Sequence, residues 1–170
     1  TCALPIFYQP IDDDGYLHFK VFHYGSKLSL SNLVPIMENL GLEVLGEHPY
    51  RIYVNGRSSG ETIHLHDFTL AQSYGEQLPL RKVGSLFHEA FERAWYRKTE
   101  NDRFNRLVLA AGLDWRQISM LRAYAHYMKQ IRFGFSREYI AETLQEHSAI
   151  TLMLVQLFEV CFNPELDLTL

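Results

Sequence analysis

Tyr16-Leu17-His18-Phe19-Lys20-Val21-Phe22-His23-Tyr24 alternates Leu17, Phe19 and Val21 with His18, Lys20 and Phe22. A period of two sends one set to a covered face and the other to the opposite face, so a half-buried strand is expected here. Forward of it, Ser31 is placed to cap a helix: a start there leaves Pro35 at the end of the first turn, where it removes at most one backbone bond, whereas a start at Ser29 sets it deeper. Leu33, Val34, Met37 and Leu40 then share one face, and Gly41 ends the helix. Strands follow from Leu42 to Val54, with an irregularity at Gly46 to Pro49, and from Glu61 to Phe68. Between them lies Asn55-Gly56-Arg57-Ser58-Ser59-Gly60, whose Asn-Gly pair signals a turn. From Leu80 to Lys98, Val83, Leu86, Phe87, Ala90, Phe91, Ala94 and Trp95 recur at spacings of three and four, which describes an amphipathic helix.

The order β-α-β-β-α matches a ferredoxin-like βαββαβ unit, of the α+β class, up to its last strand. The chain then turns helical where the fourth strand belongs, and a strand from Ala3 to Tyr8 is the candidate for the vacant edge. Asp102 opens a short helix closed by Gly112, Asp114 caps another running to about Ile131, and Ser136 caps a third, with a break near His147 before Ala149 to Phe162. The polar residues Lys98 to Asp102 mark the boundary, dividing residues 1–99 from a helical segment at 100–170. No internal repeat or low-complexity tract is evident.

At 170 residues and 47% hydrophobic content the chain can bury a substantial core. It begins at Thr1 and closes Glu165-Leu166-Asp167-Leu168-Thr169-Leu170, so both ends are expected to be cuts in a longer polypeptide. No run approaches the roughly 18 to 20 apolar residues of a membrane span, and no basic-then-apolar leader is read, so a soluble, cytoplasmic protein is expected. Cys2 and Cys161 lack CxxC or CxxH companions and are read as two free thiols. Net charge is −4, yet residues 93–137 hold ten Lys or Arg against three Asp or Glu, leaving −11 for the flanks. Within this basic stretch Arg122, His126 and Lys129 fall on one helical face. A solvated face is the plainer reading and docking on an acidic surface the alternative.

His64 and His66 share a strand face with Asp67 turned away, but two ligands do not make a metal site, and an ordinary polar strand face is preferred. His18 and His23 are expected on opposite sides of their strand. His88-Glu89 and Glu146-His147 read as solvated pairs. A nucleophile elbow, a Walker loop, a GxGxxG turn and an HExxH helix are all missing, so no catalytic, cofactor-binding or metal residue is assigned. Phe19, Phe22, Tyr50, Tyr53 and Phe68 on a βαββ sheet suggest base-stacking aromatics, as in RNA-recognition domains. Residues 1–92 carry six Lys or Arg against eleven Asp or Glu, which would repel phosphates. Core and sheet-face packing is therefore the better account, and neither nucleic acid nor membrane is expected as a partner.

Glu100-Asn101-Asp102-Arg103-Phe104-Asn105-Arg106-Leu107-Val108-Leu109-Ala110-Ala111-Gly112-Leu113 resembles a stretch of the large NAD-specific glutamate dehydrogenases. The resemblance continues through Asp114-Trp115-Arg116, Leu121-Arg122-Ala123-Tyr124, Phe135-Ser136, Glu142-Thr143-Leu144 and Leu157-Phe158-Glu159 to Asn163-Pro164. It extends back through Leu33-Val34-Pro35-Ile36-Met37-Glu38-Asn39-Leu40-Gly41 and Ile63-His64-Leu65-His66-Asp67-Phe68. It implies an ACT-like regulatory module at about residues 16–98 and, over 100–164, a helical segment leading towards a catalytic part. The parent enzyme would oxidatively deaminate L-glutamate to 2-oxoglutarate with NAD and would be a homo-oligomer. The family's nucleotide-binding glycines and catalytic lysine fall on no residue here. Two roles are therefore expected: a non-catalytic segment that holds or regulates the catalytic part, or a metabolite-sensing effector module. Asn101, Arg103, Asn105, Arg106, Arg122, His126 and Lys129 are the candidate interface residues towards the rest of such a chain, and Phe104 and Trp115 are expected to be buried.

Overall fold

Along β2 (Leu17–Tyr24) the extended backbone turns Phe19, Val21 and His23 to one face, where all three are buried, and His18, Lys20 and Phe22 to the other. The structure, a computed structural model, describes residues 3–8, 15–25, 28–56, 61–72 and 80–162. The expectations for Cys2, for 57–60 of the hairpin link, for Asn163-Pro164 and for the alternation of 165–170 lie outside the described residues. The α+β half comprises β1 (Ala3–Tyr8), β2, α1 (Leu30–Asn39), β3 (Leu42–Tyr53), β4 (Thr62–Gln72) and α2 (Leu80–Trp95).

These strands form one sheet in the order β1-β2-β4-β3, with every neighbour antiparallel. This is the ferredoxin-like sheet with one change of connection. The edge beside β2, filled by the last strand in a βαββαβ unit, is filled by β1, which aligns Phe7 with Phe19 and Tyr8 with His18. The helices α1 and α2 cover one face, where Phe7, Phe19, Phe87 and Phe91 pack ring against ring at centroid distances of 4.5–6.4 Å. Such offset and edge-on arrangements add to the area each ring removes from water.

Several local expectations shift. The α1 helix starts at Leu30 with Ser29 as its cap, so Pro35 lies well inside it. The Ser29 carbonyl accepts from the backbone N–H of Asn32 and Leu33, and its hydroxyl sits 2.7 Å from that of Ser31. Pro35 is tolerated because it faces solvent, where water reaches the carbonyl it leaves without a donor. The irregularity in β3 falls between Val44 and Gly46, ahead of its expected place, and β4 continues past Phe68 to Gln72. Skipping Leu45 reverses the facing of the rest of β3, so Glu47 turns to the covered side and lies opposite Phe68. At the hairpin, Asn55 and Gly56 have φ of 57° and 87°, the left-handed pair that an Asn-Gly turn requires. The α2 helix stops at Trp95 rather than Lys98, because Arg97 adopts φ 55° and the N–H groups of Arg97 and Lys98 return to the carbonyls of Ala94 and Arg93.

The helical part follows its capping residues closely. A 3-10 turn at Arg103–Arg106 is capped by Asp102 and runs into α3 (Leu107–Ala111), which Gly112 closes at φ 65°. Asp114 opens α4 (Trp115–Gln130) in a reciprocal cap with Gln117, and Ser136 opens α5 (Arg137–Glu146); α6 (Ser148–Phe162) follows the break at His147. Phe104, Leu107, Val108, Leu113 and Ile118 belong to the same buried cluster as Phe19, Met37 and Phe68, so apolar packing is continuous across Lys98 to Asp102. Among the described residues, no helix is long and apolar enough to cross a membrane.

Candidate functional site

The histidines expected on a polar strand face are buried instead. His64 and His66 lie on the side covered by helices, and His66 Nδ1 is 2.7 Å from Glu47 Oε1, a contact the β3 bulge makes. Among the described residues no group of three or more His, Cys, Asp or Glu is arranged to hold a metal ion. The five aromatics divide between environments: Phe19 and Phe68 are fully buried, whereas Tyr50 and Tyr53 are exposed and Phe22 is half-buried on the far face. His88 is half-buried rather than fully solvated. It stacks on Phe7 at 5.7 Å, and burial pushes its pKa below the ordinary value of 6.5. Its neighbour Glu89 accepts a hydrogen bond from Trp115 Nε1 at 2.7 Å, while the Arg93 guanidinium lies 3.9 Å from the Trp115 ring centroid. Trp115 is thus half-buried against α2, and Phe104 is almost fully buried. Glu146 and His147 are exposed.

Among the described residues, the densest polar constellation stands where the sheet-bearing half meets the helices. Arg122 on α4 donates from Nε and Nη2 to the two carboxylate oxygens of Asp102, both at 2.9 Å, and from Nη2 to Asn105 Oδ1 at 2.9 Å. Arg137, the first residue of α5, donates to Glu100 at 2.9 Å and to Asp102 at 3.0 Å. Asn105 Nδ2 returns to the Glu100 carbonyl at 3.0 Å, and His126 Nε2 stands 3.5 Å from Glu100. Asp102 also accepts from the Phe104 N–H, so one carboxylate caps the 3-10 turn and fastens two helices to it. Two carboxylates face two guanidiniums, and the fork-to-fork geometry suits a clamp whose charges neutralise each other.

Of the candidate interface residues, Arg122 and Asn105 are therefore inside the fold. Arg122 is only 3% exposed, not on a solvated face, because its side of α4 packs on the 3-10 turn. Asn101 accepts from Asn39 Nδ2 at the end of α1, Arg103 pairs with Glu142 on α5, and Arg106 packs beside Gly41. His126 and Lys129 are exposed on α4. The clamp residues Glu100, Asp102 and Arg137 escaped assignment because nothing in local spacing links Asp102 to a side chain twenty residues on.

Burial by itself would raise the Glu100 pKa, but the hydrogen bond from Arg137 and the charges of Arg122, Arg137 and His126 outweigh it and hold the carboxyl below its usual 4.5. A depressed carboxylate contributes stability that is present above the unfolded value and is lost as pH falls through the folded one. Acid titration of stability for Glu100→Gln is expected to fall less steeply below about pH 4.5 than for the parent chain. Denaturant midpoints measured at a series of pH values check this, and parallel curves would reject it.

The chain matches two family models: "Glutamate dehydrogenase, ACT3 domain" over residues 5–83 and "Glutamate dehydrogenase, helical motif 3" over residues 99–164. It is 46% identical over 158 residues to an NAD-specific glutamate dehydrogenase of Halomonas elongata, covering 92% of this chain and 10% of the relative. It is 44% identical over 165 residues to one of Pseudomonas aeruginosa, covering 96% and 10%. With one of Mycobacterium tuberculosis it shares 34% identity over 169 residues, covering 95% and 10%. The chain spans about a tenth of the length of these curated relatives.

Proposed function

The chain belongs to the NAD-specific glutamate dehydrogenase family, and from that premise we propose that it is a non-catalytic segment that holds or regulates the catalytic part of such an enzyme. In this reading the intact enzyme oxidatively deaminates L-glutamate to 2-oxoglutarate with NAD, and it works as a cytoplasmic homo-oligomer. Residues 1–99 form its ACT-like module and 100–170 a helical segment leading towards catalysis. The positions of the two family models support that division. The exposed members of the candidate interface set, His126 and Lys129 among them, face the rest of the chain.

The observation that carries the reading is the continuous core with its charge clamp. Apolar packing passes from the sheet into the helices without a break, and Asp102, Arg122 and Arg137 lock the connection between them. A connection fixed in this way transmits position and force between modules, which suits a scaffold.

NAD does not fit the described residues. A dinucleotide lies at the carboxyl ends of parallel strands, on a glycine turn that opens a helix. Here neighbouring strands are antiparallel, and Gly41 and Gly112, with φ of 92° and 65°, close helices. These features support the reading that the cofactor site lies in the remainder of the parent.

Thermal unfolding with glutamate, other amino acids, NAD and purine nucleotides tests the reading, and no shift with any of them is expected. A ligand at a hundred times its dissociation constant would add about 2.7 kcal/mol, a rise of roughly 5 to 10 °C. A rise with an amino acid would replace the scaffold by the effector-sensor role. A rise with NAD would reveal a nucleotide site in these residues.

A further inference from the structure

Among the described residues, α6 presents an unusual surface. A helix at the edge of a globular protein normally shows an apolar stripe to the core and polar residues elsewhere, whereas one that is apolar all round is enclosed. The α6 sequence, Ser148-Ala149-Ile150-Thr151-Leu152-Met153-Leu154-Val155-Gln156-Leu157-Phe158-Glu159-Val160-Cys161-Phe162, has Glu159 as its single charged residue, and Gln117 of α4 already hydrogen-bonds it at 2.7 Å. Only Thr151 and Val155 are buried, the strip that meets the rest of the fold. Met153 is 65% exposed, Leu157 60% and Ile150 57%. At about 100° per residue, the exposed apolar side chains from Leu152 through Val160, Met153, Leu157 and Ile150 to Leu154 sweep an arc of roughly 200°, in which Gln156 is the one polar side chain. One border of this arc is a groove of about 380 Å³ between α6 and α4, its walls including Met120, Tyr124, Leu154 and Phe158.

We propose that α6 is a docking surface for apolar helices from another part of its own polypeptide, so that in the intact protein it becomes the interior helix of a larger bundle. This deepens, and rests on, the reading of the chain as a segment that holds the catalytic part. Two observations choose this occupant over a second copy. A two-fold mate laying its own α6 against this one covers a single stripe of about 100° and leaves half of the arc in water. The relatives are also about ten times longer than the chain, so the remainder of the polypeptide is tethered nearby at an effective concentration no separate partner matches. The nearly charge-free face points to an apolar partner rather than an acidic or basic one.

The test uses the full-length polypeptide. Met153→Cys and Leu157→Cys are labelled separately with a maleimide, and each position is read by peptide mass spectrometry in the native and the urea-unfolded enzyme. Native labelling slower by about tenfold or more is expected at both positions; equal rates overturn the proposal. The photo-crosslinking residue p-benzoylphenylalanine is then placed at Leu157 in enzyme coassembled from unlabelled and nitrogen-15-labelled chains. Crosslinks to peptides outside residues 1–170, within chains of one isotope, are expected. Crosslinks between unlike chains, or to peptides within residues 1–170, overturn the proposal. The ligand-shift experiment fails independently: an amino-acid shift with a protected α6 removes the scaffold role alone, and an exposed α6 without any shift removes the docking surface alone.

Discussion

Replacing Asp102 by alanine is expected to destabilise the chain by about 3–5 kcal/mol, lowering the melting temperature by roughly 6 to 20 °C. The size of the effect comes from what remains. The Arg122 guanidinium is held within the fold with a side chain 4% exposed, and without Asp102 its remaining polar partners are Asn105 and a distant Glu100 oxygen at 4.0 Å. A buried cation without its counter-charge bears most of its desolvation cost uncompensated. The same substitution removes the cap on the Phe104 N–H and one of the two carboxylates that hold Arg137. Arg122→Met, which takes away the charge and retains the apolar stem, is expected to cost less. In the double variant Asp102→Ala/Arg122→Met most of the loss returns, and urea unfolding of the four species measures the coupling. Additive costs would mean that the clamp is not one unit.

Phe104→Ala is expected to cost about 3–5 kcal/mol as well, through a cavity where a 2%-exposed ring stood. Phe104 lies beneath the clamp, its ring centroid 5.7 Å from the Arg122 guanidinium carbon, in the cluster that joins the sheet-bearing half to the helices. The cavity is therefore expected to weaken both halves together. Far-ultraviolet circular dichroism and tryptophan fluorescence should report one transition, shifted equally by either probe. Two transitions, only one of which moves, would show that residues on either side of Lys98 to Asp102 unfold independently.

Much of the fold was legible because its signals are local. The alternation of Phe19 and Val21, the Asn55-Gly56 turn and the caps Asp102, Asp114 and Ser136 each depend on residues within a turn or two, and each formed where it was read. Local signals failed where two satisfactory local solutions compete. Ser29 and Ser31 are both adequate caps, and solvent exposure of Pro35 made the longer helix affordable. Lys98 continues the helical period, yet Arg97 entered the left-handed region and ended α2. The irregularity in β3 was read at Gly46 to Pro49, but the bulge falls at Leu45, and it decides that Glu47 meets His66.

By itself, then, the sequence determined the class of fold and the order of its elements, since hydrophobic period, turn chemistry and capping act between near neighbours along the chain, while the family came from the resemblance of stretches such as Glu100 to Leu113. The tertiary structure turned the candidate edge strand Ala3–Tyr8 into the one that closes the sheet, and it alone decided what joins the sheet to the helices. Six residues from the start of the chain pair with β2 because an open edge is satisfied by any strand of suitable register, whatever its place in sequence. Arg122 becomes a buried clamp rather than a solvated charge because α4 folds back over Asp102, and no spacing along a chain records which distant carboxylate a guanidinium will meet.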